Sequence, residues 1–205
     1  MTTATQAHDS SQALRIIKKR SGMIRTAEAI AAGIHPRTLC RLHEAGDLEK
    51  ISRGIYRLAE FGPITNPDLV TVASRVPKGV ICLISALAFH GITTQIPHAV
   101  SVALKKGAET PRLAHPPISV HRFAESALNE GVQVHVIDGV RVRIYSPEKT
   151  LADCFKFRNK LGLDIVLEAL KFYKARKKFN AGELLHYARI CRVEKVMRPY
   201  LEATV

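Results

Sequence analysis

The stretch from Arg25 to Leu58, RTAEAIAAGIHPRTLCRLHEAGDLEKISRGIYRL, restricts what this chain can fold into more than any other. Thr26 is placed to cap a short helix in which Ala27, Ile30 and Ala31 share one side, since residues three and four apart lie on the same face. Gly33 ends that helix, because glycine accepts the left-handed backbone of a C-terminus. Pro36 opens the next, its fixed φ already helical and its missing N–H without cost in a first turn. Leu39 and Leu42, three apart, turn toward a core, and Gly46-Asp47 stops the helix. Leu48 to Arg57 then reads as a β-hairpin, with Leu48, Ile51, Ile55, Tyr56 and Leu58 flanking the turn residues Ser52-Arg53-Gly54. Two short helices at a tight turn followed by a hairpin is the order of parts in a winged helix-turn-helix.

In that arrangement the second helix lies in the major groove with its N-terminal residues nearest the base edges. Arg37, Thr38 and Arg41 occupy those positions. An arginine fork matches guanine O6 and N7 or a phosphate, and a threonine meets a thymine methyl or a phosphate. Lys50, Arg53 and Arg57 place cations on the hairpin, suited to a neighbouring phosphate or a narrow minor groove. The competing explanation is a solvated charged face. Helix, turn, cationic helix and cationic hairpin within one short segment favour DNA.

The formal charge of +13 implies an anionic partner or surface. Residues 1–62 hold ten Lys/Arg against six Asp/Glu, so a surplus of nine falls in the remainder. The excess is therefore not confined to the N-terminal part. No apolar run reaches the roughly 18 residues of a membrane span, and the first thirty residues lack the pattern of a secretory signal, so a cytoplasmic protein without a membrane partner is expected. Cys40, Cys82, Cys154 and Cys191 form no C-x-x-C pair and are expected as buried free thiols. His98, His115, His121 and His135 form no ligand motif, and the Gly107–Pro111 loop has no phosphate-loop order. Neither metal nor cofactor is expected.

Met1 to Ser10 is small and polar and reads as disordered, with Ser10 or Ser11 capping a first helix that carries Leu14 and Ile17 inward. The glycine and prolines of Phe61-Gly-Pro-Ile-Thr-Asn-Pro67 mark a linker, which divides the chain into a DNA-binding domain over residues 1–62 and a C-terminal domain over 63–205. In the latter, Asp68–Arg75 and Ile84–His90 read as helices, with Ser85 as a core serine and His90 at a helix end. Period-two alternation over 99–104, 118–123, 132–137 and 140–145 predicts strands, the last two joined at Asp138-Gly139. The expected fold class is α+β: an N-terminal winged helix-turn-helix, then a mixed domain of β-hairpins and helices.

Ser146-Pro-Glu-Lys-Thr-Leu-Ala-Asp153 starts a helix by rule, with serine as cap, proline in the first turn and glutamate at the positive end of the dipole. Its Glu148, Lys149 and Asp153 invite comparison with a metal-dependent nuclease, but the spacing is poor, and capping with solvation explains them better. Helices follow over 163–173, 181–190 and 193–201. Lys171, Lys174, Arg176, Lys177 and Lys178 make a basic block, either a solvated face or a second basic surface for phosphates.

The run Thr38–Leu58, TLCRLHEAGDLEKISRGIYRL, resembles the N-terminal winged helix of the AbiEi-type antitoxin and transcriptional regulator family, and Tyr145–Asp153, YSPEKTLAD, with the apolar run Val80–Ile92, extends the likeness into the C-terminal half. The resemblance implies an antitoxin of a type IV toxin-antitoxin system, not an enzyme. Such a protein represses its own operon by binding repeats in double-stranded promoter DNA, and its C-terminal domain counteracts a nucleotidyltransferase-like toxin without requiring a stable complex. A stand-alone winged-helix regulator with a dimerisation or effector domain is the main alternative, and a winged-helix-targeted nuclease the weaker one.

Overall fold

The structure is a computed structural model that describes residues 2–20, 22–62 and 65–203. Met1, within the segment expected to be disordered, lies outside the described residues. In chain order the elements are α1 (Thr2–Lys19), β1 (Met23–Arg25), α2 (Thr26–Ala31), α3 (Pro36–Glu44), β2 (Leu48–Ser52), β3 (Ile55–Leu58), a 3-10 turn (Ala59–Phe61), α4 (Pro67–Arg75), β4 (Val80–Ile81) and α5 (Leu83–Phe89). Then come β5 (Val100–Lys105), β6 (Ile118–Phe123), α6 (Glu125–Leu128), β7 (Val132–Ile137), β8 (Val140–Tyr145), α7 (Pro147–Lys156), α8 (Arg158–Leu161), α9 (Leu163–Lys174), α10 (Ala181–Ile190) and α11 (Glu194–Glu202). They form two compact units, one of residues 1–74 with 136–141, the other of 75–135 with 142–205. The first unit thus runs past the boundary expected at 62, through α4, and takes in the β7–β8 turn.

In the first unit, helix α1 starts at Thr2 rather than at Ser10 or Ser11. Its Ala13 and Ile17 join Ile24, Ala29, Ile34, Leu39, Leu42, Leu48, Tyr56 and Leu58 in one buried core. The strands form a sheet of order β1-β3-β2, with β1 antiparallel to β3 (Ile24 opposite Tyr56) and β2 antiparallel to β3 (Leu48 opposite Leu58). The face expected to bury Ala27, Ile30 and Ala31 points outward. Ile30 is 55% exposed, and it is Ala29 that enters the core. A helix of six residues makes fewer than two turns, too few for its apolar periodicity to fix a side.

The second unit is built on the sheet β6-β5-β4-β8-β7, from which the tip of the β7–β8 hairpin is assigned to the first unit. Strand β5 runs parallel to β6, and β4 parallel to β8, so the several hairpins expected here reduce to β7–β8. The 99–104 alternation does not give β5 an outer polar side: Val100 to Leu104 are all buried in this central strand, against which α5 and α6 also pack. Ser85 is a core serine as expected, its Oγ accepting the Ser101 N–H at 2.9 Å. Helix α7 lies against α5, α9 and α10 and is buried from Glu148 to Phe155.

Candidate nucleic-acid interface

Helix α3 begins by two local devices. Pro36 stands at its first position, and the ring Nδ1 of His35 accepts the Arg37 N–H at 3.2 Å. With Leu39 and Leu42 buried, the solvent side of the helix carries Arg37, Cys40, His43 and Glu44. The exposed Cys40 corrects the expectation that all four thiols are buried. Arg41 is half-buried, and its guanidinium donates to Ser10 Oγ on α1 at 2.8 Å. Thr38 is only 9% exposed and turns into the core side, so it does not face a groove as the sequence predicts. It stands four residues before Leu42, one turn along the same buried side of the helix.

On the hairpin, Lys50 and Arg53 are exposed, with Arg53 at the turn beside Gly54, whose φ of +74° is left-handed. Arg57 does not accompany them. Its side chain is fully buried, donating at 3.0 Å each to the Glu49 carboxylate, the Gly62 carbonyl and the Asp138 carbonyl. A guanidinium so engaged is a structural clasp and not a phosphate contact, which corrects its expected role. Asp138 in turn accepts the Thr65 N–H at 2.8 Å and the Thr65 hydroxyl.

Thr26 holds a role that the residues around it do not disclose. It does not cap α2; Arg25 occupies the cap, and Glu28 reaches back to the Arg25 N–H at 3.1 Å. The Thr26 N–H instead donates to the Gly54 carbonyl at 2.9 Å, and its hydroxyl donates to the same oxygen at 3.3 Å. The start of α2 is thereby fastened to the hairpin turn that carries Arg53. Nothing near Thr26 in sequence announces a partner in the hairpin.

In the second unit, the Ser146–Asp153 block starts α7 as expected, Ser146 Oγ accepting the Lys149 N–H at 3.2 Å. Its charged residues are not solvated. Lys149 and Asp153 are both 0% exposed and paired at 2.5 Å, one turn apart on the same helix. The Lys149 ammonium also lies 4.2 Å from the centre of the Tyr145 ring and 5.1 Å from that of Phe123, where ring faces attract a cation. Cys191 Sγ donates to the other Asp153 oxygen at 3.1 Å. Burial outweighs Lys149 and pushes the Asp153 carboxyl above its ordinary value; the Cys191 thiol is pushed up to about 12, chiefly by burial and then by Asp153. Glu148, also buried, accepts a short hydrogen bond from the Tyr173 hydroxyl. Such a set supports a helix in a core. The described residues contain no His/Cys/Asp/Glu group arranged to hold a metal.

The C-terminal basic residues divide in the same way. Lys171, Lys177 and Lys178 are exposed. Lys174 is half-buried and donates to the Leu201 carbonyl at 2.9 Å, while Arg176 donates to the carbonyls of His90 and of Gly91 (2.9 Å), closing the end of α5. Cations at the carbonyl ends of helices stabilise those ends. No described helix is long and apolar enough to cross a membrane.

No curated relative matches the sequence. Among solved structures, the chain is similar to the crystal structure of the RV2827C protein from Mycobacterium tuberculosis, with a TM-score of 0.51 at 13% identity over 95% of this chain and 81% of that one. At that identity the likeness concerns the fold, a mixed α+β architecture with helices first and a sheet in the C-terminal part. A family model described as a transcriptional regulator, AbiEi antitoxin, matches residues 11–59. That span holds the second half of α1, all of α2 and α3, and the hairpin with its exposed cations. The likeness to the AbiEi antitoxin family of transcriptional regulators is thus confined to the segment from 11 to 59.

Proposed function

We propose that this chain is a sequence-specific DNA-binding antitoxin, whose first unit is a winged helix-turn-helix that represses its own operon. The observation that carries the reading is the exposure of Arg37 at the first turn of α3 together with Lys50 and Arg53 on the hairpin packed beside it. Arg37 is placed to read base edges, with Arg41 one turn further along, while Lys50 and Arg53 bind phosphates. The exposed Lys171, Lys177 and Lys178 offer a second basic surface. From the likeness of residues 11–59 to that family comes the other half of the proposal, that the chain counteracts a nucleotidyltransferase-like toxin. The burial of Glu148, Lys149 and Asp153 weighs against a nuclease, since carboxylates that never meet solvent cannot meet a phosphodiester.

The test is a salt-titrated binding assay of the full chain on its own upstream DNA and on a scrambled duplex of equal length. The full chain is needed because the first unit extends beyond 62 and includes 136–141. Arg37→Ala is expected to cost about 1–3 kcal/mol on the upstream DNA alone, if the residue meets a base. Arg53→Ala is expected to weaken both duplexes and to lower the salt slope by about 0.9. Equal affinity of the wild-type chain for both duplexes overturns operator recognition. For the antitoxin half, a nucleotidyltransferase-like toxin from a neighbouring gene is expressed alone and with this chain, and growth arrest that the chain fails to relieve overturns it.

A further inference from the structure

The cations placed for DNA in the first unit share a limit. Arg37, Arg41, Lys50 and Arg53 only donate, since neither a guanidinium nor an ammonium has a lone pair to accept with. They suit phosphates and the acceptor edge of guanine. The amino groups that cytosine (N4) and adenine (N6) present in the major groove need an acceptor instead. Of the side chains on the solvent side of α3, His43 and Glu44 carry a strong one. The fold holds His43 in place. Its Nδ1 lies 2.8 Å from the carbonyl oxygen of Leu48, the first residue of β2. A carbonyl only accepts, so Nδ1 carries the ring proton and donates it there. The neutral ring then has its lone pair at Nε2, away from that bond. The ring also stands edge to face against Tyr56 of β3, with centroids 6.2 Å apart and planes at 67°. Two strands of the hairpin thus brace a side chain that remains exposed.

We propose that His43 reads a base amino group, cytosine N4 or adenine N6, through a hydrogen bond accepted at Nε2, at the operator position where α3 adjoins the hairpin. The inference rests on the DNA-binding reading above, and adds the acceptor that the cations cannot supply. A ring already fixed by Leu48 and Tyr56 gives up little rotamer freedom on meeting a base. Guanine O6 and thymine O4 are rejected at that position, because each sets a lone pair against that of Nε2. Glu44 suits the task less well, since its full negative charge is repelled by the phosphates that flank a groove.

The probes are duplexes of the upstream DNA in which each adenine in turn is replaced by purine, or each cytosine by pyrimidin-2-one, so that hydrogen stands in place of the amino group. Affinities of the full chain are measured by fluorescence anisotropy at about pH 8, where imidazole side chains are ordinarily neutral. At one position the wild type is expected to lose about three- to tenfold more than at the others. His43→Asn keeps an amide N–H at the place of Nδ1 for the Leu48 carbonyl and has no atom at the place of Nε2. It is expected to keep its urea midpoint and salt slope, and to lose at that position only what the weakened base pair costs. The difference between the two proteins isolates the contact. A wild-type chain that shows no such position overturns the proposal, whatever the stability of the variant. Equal losses in wild type and His43→Asn overturn it too and leave His43 as a brace between α3 and the hairpin. A loss that Glu44→Ala relieves and His43→Asn does not overturns it in favour of Glu44. Preference for upstream over scrambled DNA without a His43-dependent position removes this inference alone, whereas equal affinity for both removes operator recognition with it.

Discussion

Arg53 and Arg57 stand in one hairpin, and the structure assigns them opposite consequences on substitution. Arg57→Ala removes a buried guanidinium whose three hydrogen bonds, each 3.0 Å, end on Glu49 and on the carbonyls of Gly62 and Asp138. Glu49 is 44% exposed, and water replaces its lost partner at little cost. The two carbonyls lose a charged donor, worth about 1.5–3 kcal/mol each. Allowing for incomplete additivity, the loss is about 3–5 kcal/mol, the range found on breaking a buried charged contact. In urea, at a slope of about 2 kcal/mol/M, the midpoint then falls by roughly 2 M. Unfolding followed by far-UV circular dichroism measures this, and anisotropy at low temperature without urea measures DNA affinity of the folded variant. Affinity and salt slope are expected to stay near wild type. Arg53→Ala, exposed at the turn, is expected to leave stability within about 0.5 kcal/mol while losing DNA affinity. An Arg57→Ala protein that melts normally but binds DNA weakly, with a reduced salt slope, refutes the assignment of Arg57 as a clasp.

The buried pair in α7 gives a second prediction: Lys149→Met is expected to cost about 3–5 kcal/mol by stranding Asp153, and Lys149→Met with Asp153→Leu to recover most of it, as urea midpoints show. Equal losses in the single and double variants refute the pairing argument. A thiol reagent applied to the native chain is expected to label Cys40 and to reach Cys82, Cys154 and Cys191 only after unfolding, with mass spectrometry of digests as the readout. Burial lowers the pKa of His90 from 6.5, and its ring Nε2 sits 2.7 Å from the Tyr145 carbonyl. Because the folded value lies below the unfolded one, the stability that His90 contributes is full above 6.5 and is lost as pH falls through the lowered value. Urea midpoints taken from neutral to acid pH are expected to show this loss in the wild type and less of it in His90→Gln; superimposable profiles refute it.

The frame of the first unit is readable because its signals are local. Gly33, Pro36 and Gly54 act through backbone preferences that neighbours do not override, and they set α2, α3 and the hairpin where the structure has them. The four strands with alternating residues are legible for the same reason, within a residue at either end. Strand β4 has only Val80 and Ile81, and β1 only Met23 to Arg25, too short to show a period. Side-chain fates were less legible. Whether an arginine faces solvent or a core depends on acceptors far along the chain, and Arg57 finds one of them at Asp138. Lys149 and Asp153 look like a solvated helix pair at i and i+4; what buries them is Tyr145, Phe123 and Cys191, brought together only by the fold. Charge in a sequence shows what must be satisfied, not where.

The tie between Thr26 and Gly54 has a bearing on how such proteins diverge. Helix α2 meets the hairpin turn through a main-chain hydrogen bond, and further main-chain bonds, Leu58 N–H to the Gly22 carbonyl and Ala59 N–H to the Asp47 carbonyl, brace the third strand. The exposed residues Arg37, Lys50 and Arg53 take no part in these bonds. Geometry and contact chemistry are therefore separable. On the DNA-binding role proposed above, duplicated genes sharing this frame can exchange those few side chains, acquire different DNA targets and become insulated from one another within one cell, while each copy keeps the same supporting skeleton.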